Sequence, residues 1–354
     1  MRVLVVNAGS SSLKLRLLGD ADEALGSRDL EPGDDVDAAL EELGGADAVG
    51  HRVVHGGARF VDPVVIDDAV VAALEELTAL APLHQPPALA AITALRRSAP
   101  GLPSVACFDT AFHAGLPGAA ATYALPRSWR ERWPLRRYGF HGLSHAWVAR
   151  RAAELLGGPE RIVSCHLGAG ASLAAIFDGR SVDTTMGFTP LAGLVMATRA
   201  GDVDPGLVLW LLERPELSQA AVAEALVHEA GLQGLAGTGD MREVLAAAER
   251  REPDAVLALD VYIHRLRAAI AAMAASLGGL DALVFTGRVG ERAPEVRSRA
   301  AAGLGFLGLA LDDAANASAT GDAEIGAPGV AARTLVIESR EHLEIARGVR
   351  AALA

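Results

Sequence analysis

Cysteine is nearly absent from this chain. Cys107 and Cys165 are the only two, and each sits in an apolar, strand-like run. That leaves no disulfide framework and no thiolate metal cluster; both read as small buried hydrophobes. Aromatic residues are also scarce, 4% of the chain against 51% hydrophobic, so the core must be built from Ala, Val and Leu. No apolar run approaches the roughly 18 residues of a membrane span. No basic segment precedes a short apolar one, as it would in a secretory leader. A reduced, soluble, cytoplasmic protein is expected. Positive charge is in deficit as well. The formal net charge of −12 argues against nucleic acid or an anionic membrane as a partner. One segment departs from this: residues 127–137 hold five arginines and one glutamate, with Trp129 and Trp133 interleaved. A nucleic-acid strip, a solvated face or the lip of a cleft for anions would each use such a segment, and an acidic protein suits the last two better.

What the chain does have is punctuated α/β patterning. Its 354 residues are enough for about two domains. Val3 to Val6 form an apolar run suited to a buried strand. Leu13, Leu15 and Leu17 alternate with Lys14 and Arg16, the period of a half-buried strand. The turn between them carries Gly9, the hydroxyls of Ser10 to Ser12 and nearby Lys14, which together make a phosphate cradle. An ordinary Ser-rich turn is the plainer alternative. It is not a Walker-type loop, because a strand follows it rather than a helix. The pattern recurs in Ile162-Val-Ser-Cys-His-Leu-Gly-Ala-Gly-Ala-Ser-Leu-Ala-Ala-Ile-Phe177, with Gly168 where Gly9 stood. Two such hairpins imply a duplicated fold: two α/β lobes with a cleft between them. Residues 20–48 read as acidic and loop-rich. Helices are predicted over 66–80, 86–97, 144–156, 204–213, 217–230, 240–249 and 254–277, with a last one from about 341. Strands are predicted over 103–108, 282–286 and 333–337. The strand at 282–286 empties into Gly287-Arg-Val-Gly290 before a helix, a frequent nucleotide position. Strands alternating with helices argue α/β.

Several polar residues stand beside glycine turns. Arg52 lies at a strand's edge in His51-Arg-Val-Val-His-Gly-Gly57, where it suits bidentate binding of a carboxylate or phosphate or a structural ion pair. Asp109 follows an apolar strand, either as a catalytic carboxylate or as a turn or helix cap. His141 and His145 are spaced for a metal, but Gly142 between them and the lack of a third ligand argue against zinc. Hydrogen bonding to an anionic substrate fits them better. Arg199 can pair with Asp202 or Asp204, or clamp an anion. Arginines, a histidine, a strand-end aspartate and two glycine turns, without clustered cysteine or a dinucleotide fingerprint, fit phosphoryl transfer. That chemistry needs positioning and charge neutralisation more than covalent catalysis.

In order along the chain, Asn7-Ala-Gly-Ser-Ser-Ser-Leu-Lys14, His51-Arg-Val-Val-His-Gly-Gly57, Pro82-Leu-His84, Phe108-Asp-Thr-Ala-Phe-His113 and Arg137-Tyr-Gly-Phe-His-Gly142 resemble the acetate/propionate kinase family. So do His166-Leu-Gly-Ala-Gly-Ala-Ser172, Ser181-Val-Asp-Thr-Thr-Met-Gly-Phe-Thr-Pro-Leu191, Thr198-Arg199 and Phe285-Thr-Gly287. The resemblance implies a duplicated actin-like (RNase H-like) fold, with residues 1–113 plus 340–354 as one lobe and 114–339 as the nucleotide-binding lobe. It implies reversible transfer of the ATP γ-phosphoryl group to acetate or another short-chain carboxylate, with Mg²⁺, or Mn²⁺ in its place, and a homodimer to which the helix at 254–277 can contribute. By the same resemblance Asn7 and Glu341 hold the metal, and Ser10, Ser12 and Lys14 face phosphates. Arg52 and Arg199 bind carboxylate and phosphoryl oxygens. Asp109 is the essential acid and organises an arginine; His141 stabilises the transferring group. Val54, Leu83, Phe140 and Pro190 line the acyl pocket. His166, Leu167, Gly168, Ala169 and Gly170 surround the nucleotide, together with Asp240, Met241, Arg242, Arg288, Val289, Gly290, Glu291 and Arg292.

The chain departs from the family pattern in four places. Ala169 stands for an asparagine and Arg288 for a glycine. The acidic segment before His51 is short, and Arg340 and His342 flank Glu341 where Asn and Glu are usual. An Arg288 that filled the adenosine pocket would favour a smaller donor such as pyrophosphate. Ala169 and Arg288 are also the only support for a non-catalytic sensor of nucleotide or acyl phosphate. A sugar kinase of the same superfamily would want more Asp, Asn and Trp acceptors.

Overall fold

The computed structural model describes every residue except 9–12, 32, 33, 35, 83 and 159. Ser10, Ser12 and Leu83 therefore lie outside the described residues. The chain forms two compact units: Met1–Ala114 with Phe140–Trp147 and Arg340–Ala354, and Gly115–Gly139 with Val148–Ser339.

The first unit holds β1 (Val3–Ala8), β2 (Leu13–Leu18), β3 (Ala24–Leu30), β4 (Ala48–Val53), β5 (Val64–Val65) and β6 (Ser104–Phe108). They form one sheet in the order β3-β2-β1-β4-β6-β5. The second holds β7 (Arg161–Leu167), β8 (Ala171–Phe177), β9 (Arg180–Thr184), β10 (Ala282–Thr286), β11 (Ala323–Glu324) and β12 (Arg333–Val336), in the order β11-β12-β10-β7-β8-β9. Read from opposite ends, the two orders coincide. Each begins as an antiparallel meander of three strands. Each continues with two strands parallel to the first, and ends in a two-residue antiparallel edge strand. The repeat extends through all six strands of each sheet, well beyond the two hairpins.

Strand β1 shows why its sequence is continuously apolar. Val3 and Val5 pack with Ile345, Ala346 and Val349 of the helix Glu341–Ala352. Leu4 and Val6 point the other way, toward Ala91 and Leu95 of the helix Gln85–Ser98. A strand covered on both faces loses its polar alternation. In the second unit the helix Pro253–Ser276 buries Ala255, Leu259, Ile263, Leu266 and Ile270, a stripe at helical spacing.

Some expectations need correction. The loop-rich reading of 20–48 misses β3 and the helix Val36–Leu43. Only Leu30 of β3 is fully buried, so this edge strand carries no hydrophobic alternation. No strand is predicted over 180–184, where β9 lies. The single helix over 217–230 is a helix at Gln219–Glu224 followed by a π-helical turn at Ala225–Glu229. No helix among the described residues is long and apolar enough to cross a membrane.

Candidate active site

In the first unit the parallel strands end in polar side chains. Asn7 is the last residue but one of β1, Arg52 the last but one of β4, and Asp109 follows β6 directly. The Arg52 guanidinium grips the Asp109 carboxylate with Nε at 3.2 and 3.1 Å and Nη2 at 2.5 Å. Its Nη1 donates to Asn7 Oδ1 at 3.2 Å, and Glu341 lies 3.9 Å from Nε. Asp109 is 1% exposed. Burial disfavours the charge on Arg52, but the Asp109 and Glu341 carboxylates outweigh it and hold the guanidinium above its usual pKa. Asp109 sits in the turn that follows β6, and its carboxylate is paired with Arg52. Lys14 stands opposite Asn7 across β1 and β2 and is exposed.

His141 is set beside this group by a strained backbone. Its φ of 56° places a non-glycine residue in the left-handed region, which is uncommon and clusters at functional sites. The next residue fixes it there: the Gly142 N–H donates to the Asp109 carbonyl at 2.8 Å. A Cβ on Gly142 would stand 2.1 Å from that carbonyl oxygen, so only glycine fits. Phe140 and Val54 are buried in this unit. The Phe140 carbonyl is hydrogen-bonded to His113 Nε2 at 3.1 Å.

In the second unit Arg199 is half-buried, and burial lowers its pKa. Its Nη1 donates to the Pro190 carbonyl at 3.4 Å. Asp202 accepts from the Gly193 N–H, and Asp204 caps the helix Pro205–Leu212. Among the described residues neither acid forms an ion pair with Arg199.

The same unit contains a cavity of about 360 Å³. Gly168, Ala169, Asp240, Met241, Arg242, Arg288, Val289 and Arg292 line it; all eight are among the residues that the resemblance assigns to the nucleotide. Leu232, Gly239, Leu245, Tyr262 and Ala293 line it as well; none of them carries a charge, and the sequence did not single them out. Asp240 caps the helix Met241–Glu249 and pairs with Arg242, whose hydrogen bonds pull its carboxylate down to about 2. His166 and Leu167 end β7, and Gly170 closes the turn by accepting from the Gly168 N–H. Gly290 and Glu291 belong to the helix Gly287–Arg292. That helix starts directly on β10 because Gly287 has φ 75°, and a Cβ there would meet the Leu167 carbonyl at 2.8 Å. Arg297, 1% exposed, holds the Gly290 and Glu291 carbonyls at 2.9 and 2.8 Å; sequence reasoning did not find it. Burial raises the pKa of Glu291, which accepts from the Ser339 N–H.

Among the described residues no group of three or more His, Cys, Asp or Glu forms a metal cage. Mg²⁺ does not need one. It takes one or two protein oxygens and completes its shell with phosphates and water; Asn7 Oδ1, which accepts from Arg52, and the Glu341 carboxylate, 3.9 Å from the same guanidinium, are the oxygens that would hold such an ion. Cys107 and Cys165 are free and buried, and burial pushes the Cys107 thiol up to about 12.

Comparison with known proteins gives consistent findings. The family model of the acetokinase family matches residues 34–347. The acetate kinase of Clavibacter sepedonicus is 45% identical, over 98% of this chain and 97% of its own. That of Nostoc punctiforme is 42% identical, over 98% of both. Among solved structures, the acetate kinase of Porphyromonas gingivalis superposes with a TM-score of 0.91 at 35% identity, covering 100% of each chain. A propionate kinase from Francisella tularensis gives a TM-score of 0.91 at 33% identity and 98% coverage of each.

Proposed function

The chain belongs to the acetokinase family and is a phosphotransferase with a carboxylate acceptor and ATP as donor, and from this premise we propose how its residues carry out the reaction. Its fold is the duplicated actin-like α/β fold of those kinases. One carboxylate oxygen of acetate or propionate attacks the γ-phosphorus of ATP. The bond from that phosphorus to the β–γ bridging oxygen breaks, giving acyl phosphate and ADP.

The acceptor is ionised at pH 7, so no general base is required. Asp109 does not take a proton; it orients Arg52. Arg52 and Arg199 meet the carboxylate and the equatorial phosphoryl oxygens, and His141 donates to the group in transit. A loose transition state spreads negative charge over those oxygens, and fixed donors aimed at it are the main source of acceleration. Val54, Phe140, Pro190 and Leu83 exclude water from the acyl group. Asn7 and Glu341 hold Mg²⁺, which when bound neutralises phosphate charge. Lys14, Ser10 and Ser12 serve the phosphates.

The observation that carries this reading is the Arg52–Asp109 pair at the carboxyl ends of β4 and β6, the sheet edge where ligands of such folds bind. The residues around the 360 Å³ cavity take the nucleotide. Arg288 is exposed and leaves that volume open, enough for a nucleoside, which supports ATP over pyrophosphate. We infer a homodimer formed through the helix Pro205–Leu212, where Leu207, Leu209 and Trp210 are exposed, and a cytoplasmic location.

The test is a hydroxamate assay for acyl phosphate, run with acetate, propionate and butyrate against ATP, GTP and pyrophosphate. Acyl hydroxamate is expected with ATP and the two shorter acids. No product with any pairing would overturn the reading.

A further inference from the structure

No helix or strand runs through residues 191–204, the stretch that carries Arg199, so its shape depends on what grips it from outside. The Met196 N–H donates to the Arg199 carbonyl at 2.9 Å and closes a short loop. The chain over 227–233 holds that loop. The Leu232 N–H donates to the Met196 carbonyl at 3.0 Å, and the Gln233 N–H to the Ala197 carbonyl at 2.8 Å. Gly231, with φ 63°, lies so close that a Cβ would stand 2.3 Å from the Met196 carbonyl oxygen and 2.6 Å from that of Arg199. Thr198 adds its side chain to this grip. Its Oγ1 donates to the Val227 carbonyl at 2.8 Å, while its own carbonyl accepts from the Ala230 N–H at 3.1 Å.

We propose that Thr198 is a positioning residue of the phosphoryl transfer: its hydroxyl ties the loop to Val227 and so fixes the backbone from which the Arg199 guanidinium reaches the transferring group. This rests on the role given to Arg199 in the proposed reaction. Val227 belongs to the π-helical turn Ala225–Glu229, a rare conformation found mostly at functional sites. A π turn bonds each carbonyl to the N–H five residues on. For Val227 that donor is Leu232, whose N–H goes to Met196 instead. The Thr198 hydroxyl takes its place, so the turn and the loop complete each other. Arg199 needs such an anchor. Its side chain is long, and its Nη1 meets the Pro190 carbonyl only at 3.4 Å, a weak hold. The aim of the guanidinium therefore follows the position of its Cα. Ala169 and Leu232 line the nucleotide cavity and are tied to the same loop by backbone bonds, the Ala197 N–H donating to the Ala169 carbonyl at 3.1 Å. Those bonds do not involve the hydroxyl, so the cavity keeps its wall when the hydroxyl is removed.

The variant is Thr198→Val, which keeps the branched shape and removes the donor; Thr198→Ala replaces it if the valine variant does not fold. Thr198→Ser is the rescue, since it restores the hydroxyl and lacks only the methyl group. Turnover is measured by the hydroxamate assay well below the melting temperature, and ADP binding by calorimetric titration of the intact protein. In Thr198→Val, kcat is expected to fall about 10- to 100-fold, the effect of a reacting group held slightly out of place. The Kd for ADP should stay within about twofold, because no hydrogen bond to the nucleotide is lost. Thr198→Ser should recover kcat to within about threefold of the unaltered protein. An unchanged kcat in Thr198→Val would overturn the proposal. Equal impairment of the valine and serine variants would overturn it too, by showing that the methyl group and not the hydroxyl matters. A loss of ADP affinity matching the loss of kcat would do the same, as a sign of general distortion. Arg199→Lys separates the two layers of the argument. If that variant turns over normally, the role of Arg199 itself fails; if it is impaired and Thr198→Val is not, only the role of Thr198 is refuted.

Discussion

Arg52 and Asp109 are 57 positions apart in sequence and meet as a two-pronged ion pair at the ends of adjacent parallel strands. The register of β4 on β6 sets Arg52 beside Cys107 and Val53 beside Phe108, so the residue after β6 reaches back to the guanidinium. The Asp109 N–H donates to the Val53 carbonyl at 3.0 Å, which extends the ladder by one step and fixes the carboxylate. With Asn7 and Glu341 on its other sides, Arg52 has one orientation.

Asp109→Asn keeps this shape and removes the charge. Arg52 would retain Asn7 and Glu341, yet lose its charge-assisted contacts. The expected loss in kcat/KM for acetate is about 10- to 100-fold, with the KM for ATP nearly unchanged. Stability should fall by about 2 kcal/mol, below the full cost of breaking a buried pair because Arg52 is partly solvated. Steady-state kinetics and urea unfolding check both. Turnover near that of the unaltered protein would remove Asp109 from the mechanism.

Gly142 tests the placement of His141. A methyl group there meets the Asp109 carbonyl at 2.1 Å, and backbone cannot yield as a side chain can. Gly142→Ala should cost about 2 kcal/mol or more and lower kcat. Gly118→Ala is the control, since nothing lies within 4 Å of its added Cβ; it should be neutral or slightly stabilising. Equal melting temperatures for the two variants would show that the loop at 139–142 relaxes freely.

These cases show what was legible in the sequence. Arg52 and Asp109 could be read because each stands at the carboxyl end of a largely apolar strand, whereas Asn7 and Glu341 came only from the family resemblance. The hairpins gave away the duplication because turn glycines cannot be disguised. Strand β3 was hidden because water covers both its faces, and the edge strands β5 and β11 because two residues have no period. Arg297 was hidden for a different reason. It belongs to a helix whose pattern is explained by packing alone, and only the fold shows what its polar atoms face.

Buried histidines set the acid limit of stability. His51 is 2% exposed with both ring nitrogens unpartnered among the described residues, and burial lowers its pKa to about 3. Burial brings His55 to about 4, and His113 to about 4 despite its hydrogen bond to Phe140. The unfolded chain titrates these groups near 6.5. Below that pH it binds protons that the native state refuses, so stability falls as pH falls from about 6.5 toward 4. Each residue contributes up to about 1.4 kcal/mol per pH unit. His51→Leu should flatten the slope by about a third and leave stability at pH 7 unchanged or higher. Urea midpoints measured from pH 7 to 4.5 decide it; an unaltered slope would mean that His51 is protonated in the native state.

The last prediction concerns association. The helix Pro205–Leu212 reads Pro-Gly-Leu-Val-Leu-Trp-Leu-Leu and buries none of its residues, with Leu209 64% and Trp210 52% exposed. A helix apolar on every side belongs under a covering surface. A second copy of the chain presents the same apolar face and can cover it in an isologous contact. Leu209→Glu places a carboxylate in that contact. The contact must then desolvate a charge, so the dimer should dissociate at micromolar concentrations in light scattering coupled to size exclusion. The monomer's helix content should be unchanged, because position 209 makes no buried contact within the chain. A variant that stays dimeric would move the interface elsewhere, with the exposed side of Pro253–Ser276, where Leu257 is 54% exposed, as the next surface to alter.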